Sequence, residues 1–449
     1  MPEVFRPFEY QTPMVEHLLA NERSALFVPP GKGKTVVTLK ALDDLFTTGE
    51  ARGVLIVAPL RVCSITWPDQ VERWQHSRWM RVANLRTKQG LQAWLDKSAD
   101  IYLINSELLP NRLPLMFPKN FTSPANVLVI DEISLAKNHA SVRFKALRKH
   151  LHHFDRRIGL TGTPVPNNYL DLFAQIRLLD DGERLGKFIS HYKEEHFYSD
   201  YMGYTWTLNP GAKDVIDQRL SDLCLVDMGS GNDLPASSVV DMPVTMPPDA
   251  AKQYKALQKE LLVTIKTGEI AAPSAATLVN KLLQFTSGSV YDEDKTVHHV
   301  HDSKLHALKH LLDQHADPVL VLCAYKHESA RILQAFPHAT MFDERNMSDW
   351  QAGKIPIWVA DPRSLSHGID GLQKSCRIAI WMTLTFSNET YLQTNARLIR
   401  TGQANETIIY RIICPGTIDD AVCEALKNKS DTQSGMLNAI HALQRLSTP

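Results

Sequence analysis

Leu26-Phe-Val-Pro-Pro-Gly31-Lys32-Gly33-Lys34-Thr35 is the stretch on which the fold turns. A short apolar run, a loop of prolines and glycines, and the opening of a helical segment follow one another, the order of a strand, a tight loop and a helix start. Glycines in such a loop let backbone N–H groups approach an anion, and the helix N-terminus adds a positive dipole end. The pattern is that of a phosphate-binding loop. Gly31, Lys32, Gly33, Lys34 and Thr35 are expected to form a nucleotide cradle, with Lys34 reaching the β- and γ-phosphates of ATP and Thr35 holding Mg²⁺; the alternative is a surface loop that carries the same residues. Val28 stands where the full G-x-x-x-x-G-K-T pattern has its first glycine.

Short β-branched runs recur on either side of this loop, separated by longer helical stretches: Ala25 to Val28, Val54 to Ala58, Ile101 to Asn105, Val127 to Ile130 and Ile158 to Thr161. That rhythm predicts a parallel sheet with crossover helices, an α/β fold. Residues 229–248, rich in Gly, Ser and Pro, read as a linker carrying one short strand. A second strand series follows at Val319 to Cys323, Ile355 to Ala360, Arg377 to Trp381 and Ile408 to Ile413. Two tandem α/β domains are expected, 1–235 and 236–449, with a protrusion or insertion at about 182–228, where aromatic residues crowd and the pattern breaks.

Hydrophobic residues make up 44% and charged residues 22% of the 449, the balance of a folded chain with a sizeable core, which excludes disorder. Lys+Arg and Asp+Glu both total 49, so a polyanionic partner has to be held by a local patch. The longest apolar runs fall far short of the roughly 18 residues of a membrane span, and the first residues lack the apolar core of a secretory signal. No membrane partner and a cytoplasmic location are expected. Six scattered cysteines without a Cys-x-x-Cys pair disfavour a disulfide framework and a zinc knuckle. His306 and His310 share a helix face, but no cysteine or carboxylate spacing completes a metal site around them.

The run Val127 to Ile130 ends in Asp131-Glu132, carboxylates at the C-terminal edge of a parallel sheet, where ligands bind. Asp131 suits a hold on Mg²⁺ and Glu132 suits polarising a water that attacks phosphorus. Arg397 and Arg400 are spaced i, i+3, so on a helix they share one face and can both enter a cleft to neutralise charge on the γ-phosphate. The basic segment Arg143 to Arg157 reads as the solvated face of a helix, with phosphate binding as the alternative.

Taken together, these motifs resemble the superfamily-two helicases and translocases, and within them the Swi/Snf-like ATPases, particularly the small members carried by phages and prophages. Arg6-Pro-Phe8-Glu-Tyr10-Gln11 is similar to the family's adenine-reading motif, which implies base recognition by Gln11. Ile56 to Leu60 with Trp67 and Trp74 resembles the first strand-contacting motif. Leu160 to Asn168 resembles the coupling motif, which implies that role for Thr161, Gly162 and Thr163. Ser366 to Gln373, with Gly368 and Asp370 at the nucleotide, resembles the fifth motif. Gln393-x-x-x-Arg397-x-x-Arg400-x-Gly402-Gln403 resembles the sixth, with Gln393 in coupling. Ile133-Ser134 departs from the commoner Ala-His, and Asp370 stands where this branch often has Asn.

The resemblance implies two RecA-like domains with the ATP site between them, and catalysis by Lys34, Asp131, Glu132, Arg397 and Arg400 with ATP and Mg²⁺. It further implies DNA as partner, duplex favoured and single-stranded or branched forms allowed, moved along by a monomer. For a phage-encoded protein the host cytoplasm is the place of action. Candidate strand contacts are Arg61, Asn105 and Ser106 in the first domain and Lys326, Ser364 and Ser366 in the second. An RNA remodeller and a non-hydrolysing nucleic-acid clamp are the alternatives. The aromatic segment from His191 to Trp206 is the one stretch suited to form a small strand-separating wedge.

Overall fold

A computed structural model of the chain describes residues 2–162, 169–199, 206–226, 235–266, 272–365, 369–400 and 402–428. Thr163, Ser366 and Gly368 of the expected site lie outside them, as does part of the His191 to Trp206 segment. The chain divides into two compact units, Met1–Asn232 and Asp233–Pro449.

In the first unit the strands, in chain order, are β1 (Arg23–Phe27), β2 (Val54–Ala58), β3 (Val82–Asn84), β4 (Ile101–Asn105), β5 (Val127–Asp131), β6 (Arg156–Thr161), β7 (Phe197–Ser199), β8 (Trp206–Leu208) and β9 (Cys224–Val226). Among the described residues, seven of them form one parallel sheet in the order β3-β4-β2-β5-β6-β1-β9, and β7 pairs with β8 as an antiparallel hairpin. The central strands are buried on both faces, as crossover helices on both sides of a parallel sheet require. Their pleat divides the core in two: Leu55, Val57, Tyr102, Ile104, Leu128 and Ile130 pack into one apolar cluster. Val54, Ile56, Ile101, Leu103, Val127 and Val129 pack into the other.

The second unit repeats this plan. Its strands are β10 (Ser237–Pro243), β11 (Ser289–Tyr291), β12 (Val297–His299), β13 (Val319–Leu322), β14 (Ala339–Met341), β15 (Ile357–Ala360), β16 (Ile378–Trp381) and β17 (Thr407–Ile413). Among the described residues a six-stranded parallel sheet runs β10-β17-β16-β13-β15-β14, and β11 pairs antiparallel with β12. Leu320, Leu322, Trp358 and Trp381 face one cluster, while Val319, Val321, Ile378 and Ile380 face the other. The expected α/β class with parallel sheets in tandem is what the chain adopts.

Three local expectations change. The stretch read as a linker with one short strand does hold a strand, but β10 is seven residues long and is a full member of the second sheet, in parallel register with all of β17, from Ser237↔Thr407 to Pro243↔Ile413. As an edge strand it leaves Val239 and Val240 both exposed, so it shows no alternation to read. Part of the region read as a protrusion is sheet: β9 pairs in parallel with β1. Finally, Arg156 and Arg157 belong to neither a solvated face nor a phosphate site. They begin β6, buried, and Arg156 Nη1 donates to the carbonyls of Leu18 and Asn21 at 2.8 and 2.7 Å. Arg157 pairs with Asp181 at 2.7 Å. The two guanidiniums tie the start of β6 to neighbouring carbonyls and to a carboxylate.

The second unit also contains an ion pair that is buried at both ends: Lys304 Nζ lies 2.7 Å from Asp419 Oδ2, with 1% and 2% of the side chains exposed. Asp419 also accepts from Thr286 Oγ1 and the Cys414 N–H, both at 2.9 Å, and Lys304 donates to Met382 O at 3.0 Å. Removing one partner strands a charge in an apolar interior, which costs about 3–5 kcal/mol. Lys304→Met is therefore expected to lower the urea midpoint of the second unit's unfolding transition by that equivalent. A midpoint within error of wild type would show the pair to be dispensable. All six cysteines are free and buried. No helix among the described residues is long and apolar enough to cross a membrane.

Candidate nucleotide site

The loop between β1 and the helix Lys34–Thr47 depends on its glycines. Gly31 and Gly33 have φ of 85° and 81°, the left-handed region. A Cβ on Gly33 would also lie 2.4 Å from Gln11 Nε2, so any side chain there would be strained by the backbone and would have to displace the Gln11 amide from Lys32 O. Gly33 caps the helix, and its carbonyl accepts the Val37 N–H at 3.1 Å. Lys34, at the first helical position, turns its ammonium back onto the loop and donates to Val28 O at 2.7 Å and Pro29 O at 3.3 Å. Thr35 follows it, half-buried, in the same first turn.

Gln11 is 3% exposed, and its amide is engaged by the loop and its own turn. Nε2 donates to Lys32 O at 3.1 Å, and Oε1 accepts the Phe8 N–H at 3.1 Å. The rings of Phe8 and Tyr10 stack at 5.6 Å, and Lys32 Nζ sits 4.6 Å above the Tyr10 ring. The aromatic pair and Gln11 thus form one wall of the loop.

The acidic pair ends β5, next to β6. Glu132 takes up φ 63°, ψ 63°, a conformation that a non-glycine residue keeps only where its surroundings hold it. Two hydroxyls do so, Ser134 Oγ and Thr161 Oγ1, each donating to Glu132 Oε1 at 2.7 Å. Asp131 Oδ2 accepts the indole N–H of Trp67 at 2.9 Å. Loss of hydration pushes the Asp131 carboxyl up to about 6; the Trp67 bond and the Lys34 charge work against that rise, and Glu132 adds to it. A Cβ on Gly162, just past Thr161, would lie 2.9 Å from Pro30 Cγ and 3.8 Å from Lys34 Nζ. The ends of β5 and β6 and the phosphate loop therefore converge at one edge of the first sheet. Thr35 and Asp131 offer hydroxyl and carboxylate oxygens, hard donors that fit Mg²⁺. Among the described residues no group of three or more His, Cys, Asp and Glu makes a protein-built metal cage. An ion with one or two protein ligands that keeps its other sites for phosphate and water fits that donor set.

In the second unit Arg397 and Arg400 do not share a helix face, because the helix Asn388–Asn395 stops before them. They occupy the turn that follows, where Asn395 is held by Trp381, whose indole donates to Asn395 Oδ1 at 3.0 Å. Their guanidiniums still converge: both Nη1 atoms donate to Ile369 O, at 3.1 and 3.3 Å. Arg397 Nε also donates to Leu365 O at 2.9 Å. Arg400 lies 3.4 Å from Asp370, whose Oδ1 accepts the Gly371 N–H at 2.7 Å. Gln393 is buried on the preceding helix and donates to Glu389 at 3.2 Å.

The candidate strand contacts divide. Arg61, Lys326 and Ser364 follow the C-terminal ends of β2, β13 and β15 and keep solvent exposure. Asn105 and Ser106 are each 6% exposed, and the Asn105 amide donates to Glu107 at 2.8 Å. Trp67, with no exposure at all, is a core residue with a polar contact in the site. The sequence reading had no signal for that contact, because indole and carboxylate are 64 residues apart.

A family model described as the SNF2-related domain matches residues 10–287. Protein p41 of Acyrthosiphon pisum secondary endosymbiont phage 1 is 32% identical over 462 residues, covering 98% of this chain and 99% of the phage protein. An uncharacterized ATP-dependent helicase of Mycoplasma genitalium is 22% identical over 89% of this chain, which spans 39% of that helicase. The Sulfolobus solfataricus SWI2/SNF2 ATPase core in complex with dsDNA aligns with a TM-score of 0.46 at 19% identity, over 97% of each chain. With more than half of its length matched by the family model and an end-to-end likeness to the phage protein, this chain belongs to the SNF2-related family, the Swi/Snf-like branch of the superfamily-two ATPases.

Proposed function

We propose that the protein is an ATP-driven DNA translocase that hydrolyses ATP and couples each cycle to movement along duplex DNA, in remodelling or branch migration. The observation that carries this reading is the gathering of Lys34, Asp131, Glu132 and Thr161 at one edge of the first sheet. Lys34 exchanges its two loop carbonyls for phosphate oxygens when nucleotide enters, since an ammonium pairs better with an anion than with neutral carbonyls. Glu132, its carboxylate set by two hydroxyls, takes a proton from the water that attacks the γ-phosphorus as the bond to the ADP oxygen breaks. Thr161 bonds the same carboxylate oxygen, so a change at Glu132 is felt at once in the segment beginning with Gly162. Mg²⁺, when bound, offsets phosphate charge and would be held by Thr35 and Asp131. Arg397 and Arg400, which converge on the Ile369 carbonyl within the second unit, are the residues we assign to offsetting charge on the γ-phosphate.

Accessible Arg61, Lys326 and Ser364 suit phosphate contacts, which position a strand without reading its sequence. In a chain with equal numbers of acidic and basic residues, affinity must come from such local contacts, so binding should weaken steeply with salt because releasing counterions into a saltier bulk gains less free energy. The test is ATP turnover with duplex DNA, single-stranded DNA and RNA, together with triplex displacement and a forked duplex. Duplex stimulation with triplex displacement is expected. Robust unwinding without triplex displacement would overturn translocation along the duplex, and stimulation by RNA alone would move the protein to the RNA remodellers.

A further inference from the structure

We propose that Trp67 is a positioning residue for the metal-binding carboxylate, holding Asp131 in the one orientation that serves Mg²⁺ and nucleotide. The proposal rests on the metal role given to Asp131 above. Trp67 Nε1 lies 2.9 Å from Asp131 Oδ2, and the indole is packed without exposure in the apolar cluster that includes Val62, Cys63 and Val71.

A buried indole N–H needs an acceptor, so the choice of acceptor is informative. Trp94, Trp350 and Trp358, equally buried, donate to backbone carbonyls of Met116, Leu372 and Met341, and Trp381 donates to the Asn395 amide. Among the described tryptophans that are fully buried, Trp67 alone is bonded to a carboxylate. The path of the chain brings it there. Between β2 and the helix Trp67–Arg73 lies a π-helical turn, Val62–Thr66, closed by the Trp67 N–H on Val62 O. Wider turns of this kind recur at functional sites, where one additional residue per turn re-aims a side chain. A rigid ring anchored in the core and bonded to one carboxylate oxygen fixes the plane of that carboxylate, as outer-shell partners do for metal ligands elsewhere. The turn begins directly after Arg61, so the segment that carries a candidate phosphate contact also carries the residue that sets Asp131.

The experiment uses the full-length chain and the fluorescent nucleotide methylanthraniloyl-ADP, titrated with Mg²⁺, so that binding is read without turnover. Trp67→Phe, which keeps an aromatic ring and removes the donor, is expected to raise the Mg²⁺ midpoint about tenfold and to leave nucleotide affinity without Mg²⁺ unchanged. Val71→Ala, in the same apolar cluster, should lower thermal stability yet keep the wild-type midpoint. An unchanged midpoint in Trp67→Phe, or an equal shift in Val71→Ala, would overturn the proposal. Nucleotide binding by the wild-type chain that does not depend on Mg²⁺ would instead overturn the metal role of Asp131, and this inference with it. Should Trp67→Phe not fold, the wild-type chain decides: its Trp67 indole N–H resonance should move on adding MgADP and not on adding ADP alone, and a resonance insensitive to Mg²⁺ overturns the proposal.

Discussion

Lys34→Ala is expected to cut ATP turnover by about 10²–10³-fold or more while leaving the protein folded. In the proposed mechanism the ammonium would supply charge where the transferred phosphoryl group gathers it, from the first residue of the loop's helix. The structural cost is small by comparison. Lys34 is half-buried, and the carbonyls of Val28 and Pro29 that it leaves can be hydrated in its stead. Steady-state ATPase measurements beside a thermal melt separate the two effects. A folded Lys34→Ala protein with wild-type turnover would remove the phosphate loop from the mechanism.

Arg400→Ala in the full-length chain should reduce kcat by about 10³–10⁵-fold with little change in KM for ATP, the range found where an arginine stabilises charge on a transferring phosphoryl group. Arg397 remains on Ile369 O in this variant, so the turn after the helix Asn388–Asn395 keeps one of its two guanidinium ties. Arg397→Ala is the less clean experiment, since that residue also holds Leu365 O. Turnover assayed at saturating DNA and ATP checks the result. A kcat within a fewfold of wild type would show that Arg400 serves the turn and not the γ-phosphate.

The parts of the fold and site that were legible in the sequence are those whose cause is local. A positive φ at Gly31 and Gly33 is a demand of the loop itself, and the strands β2, β4 and β5 are largely apolar runs because helices bury them on both sides. β3 and β14, three residues each, are too short to show a period, and β10 is an edge strand exposed on too many positions to alternate.

The sequence by itself determined the class of fold, the long central strands, the glycine loop before the first long helix and the acidic pair at the end of β5, because period, glycine placement and the end of an apolar run are properties of neighbouring residues. Tertiary structure alone decided what each polar group meets. Arg156 and Arg157 look like part of a basic helix until β6 is seen to begin at Arg156, where buried carbonyls and Asp181 receive them. Arg397 and Arg400 leave the helix and meet on one carbonyl, and Trp67 reaches Asp131 across 64 residues. A buried donor must find an acceptor, but which one it finds is set by the segment packed against it, and that segment lies far away in the chain.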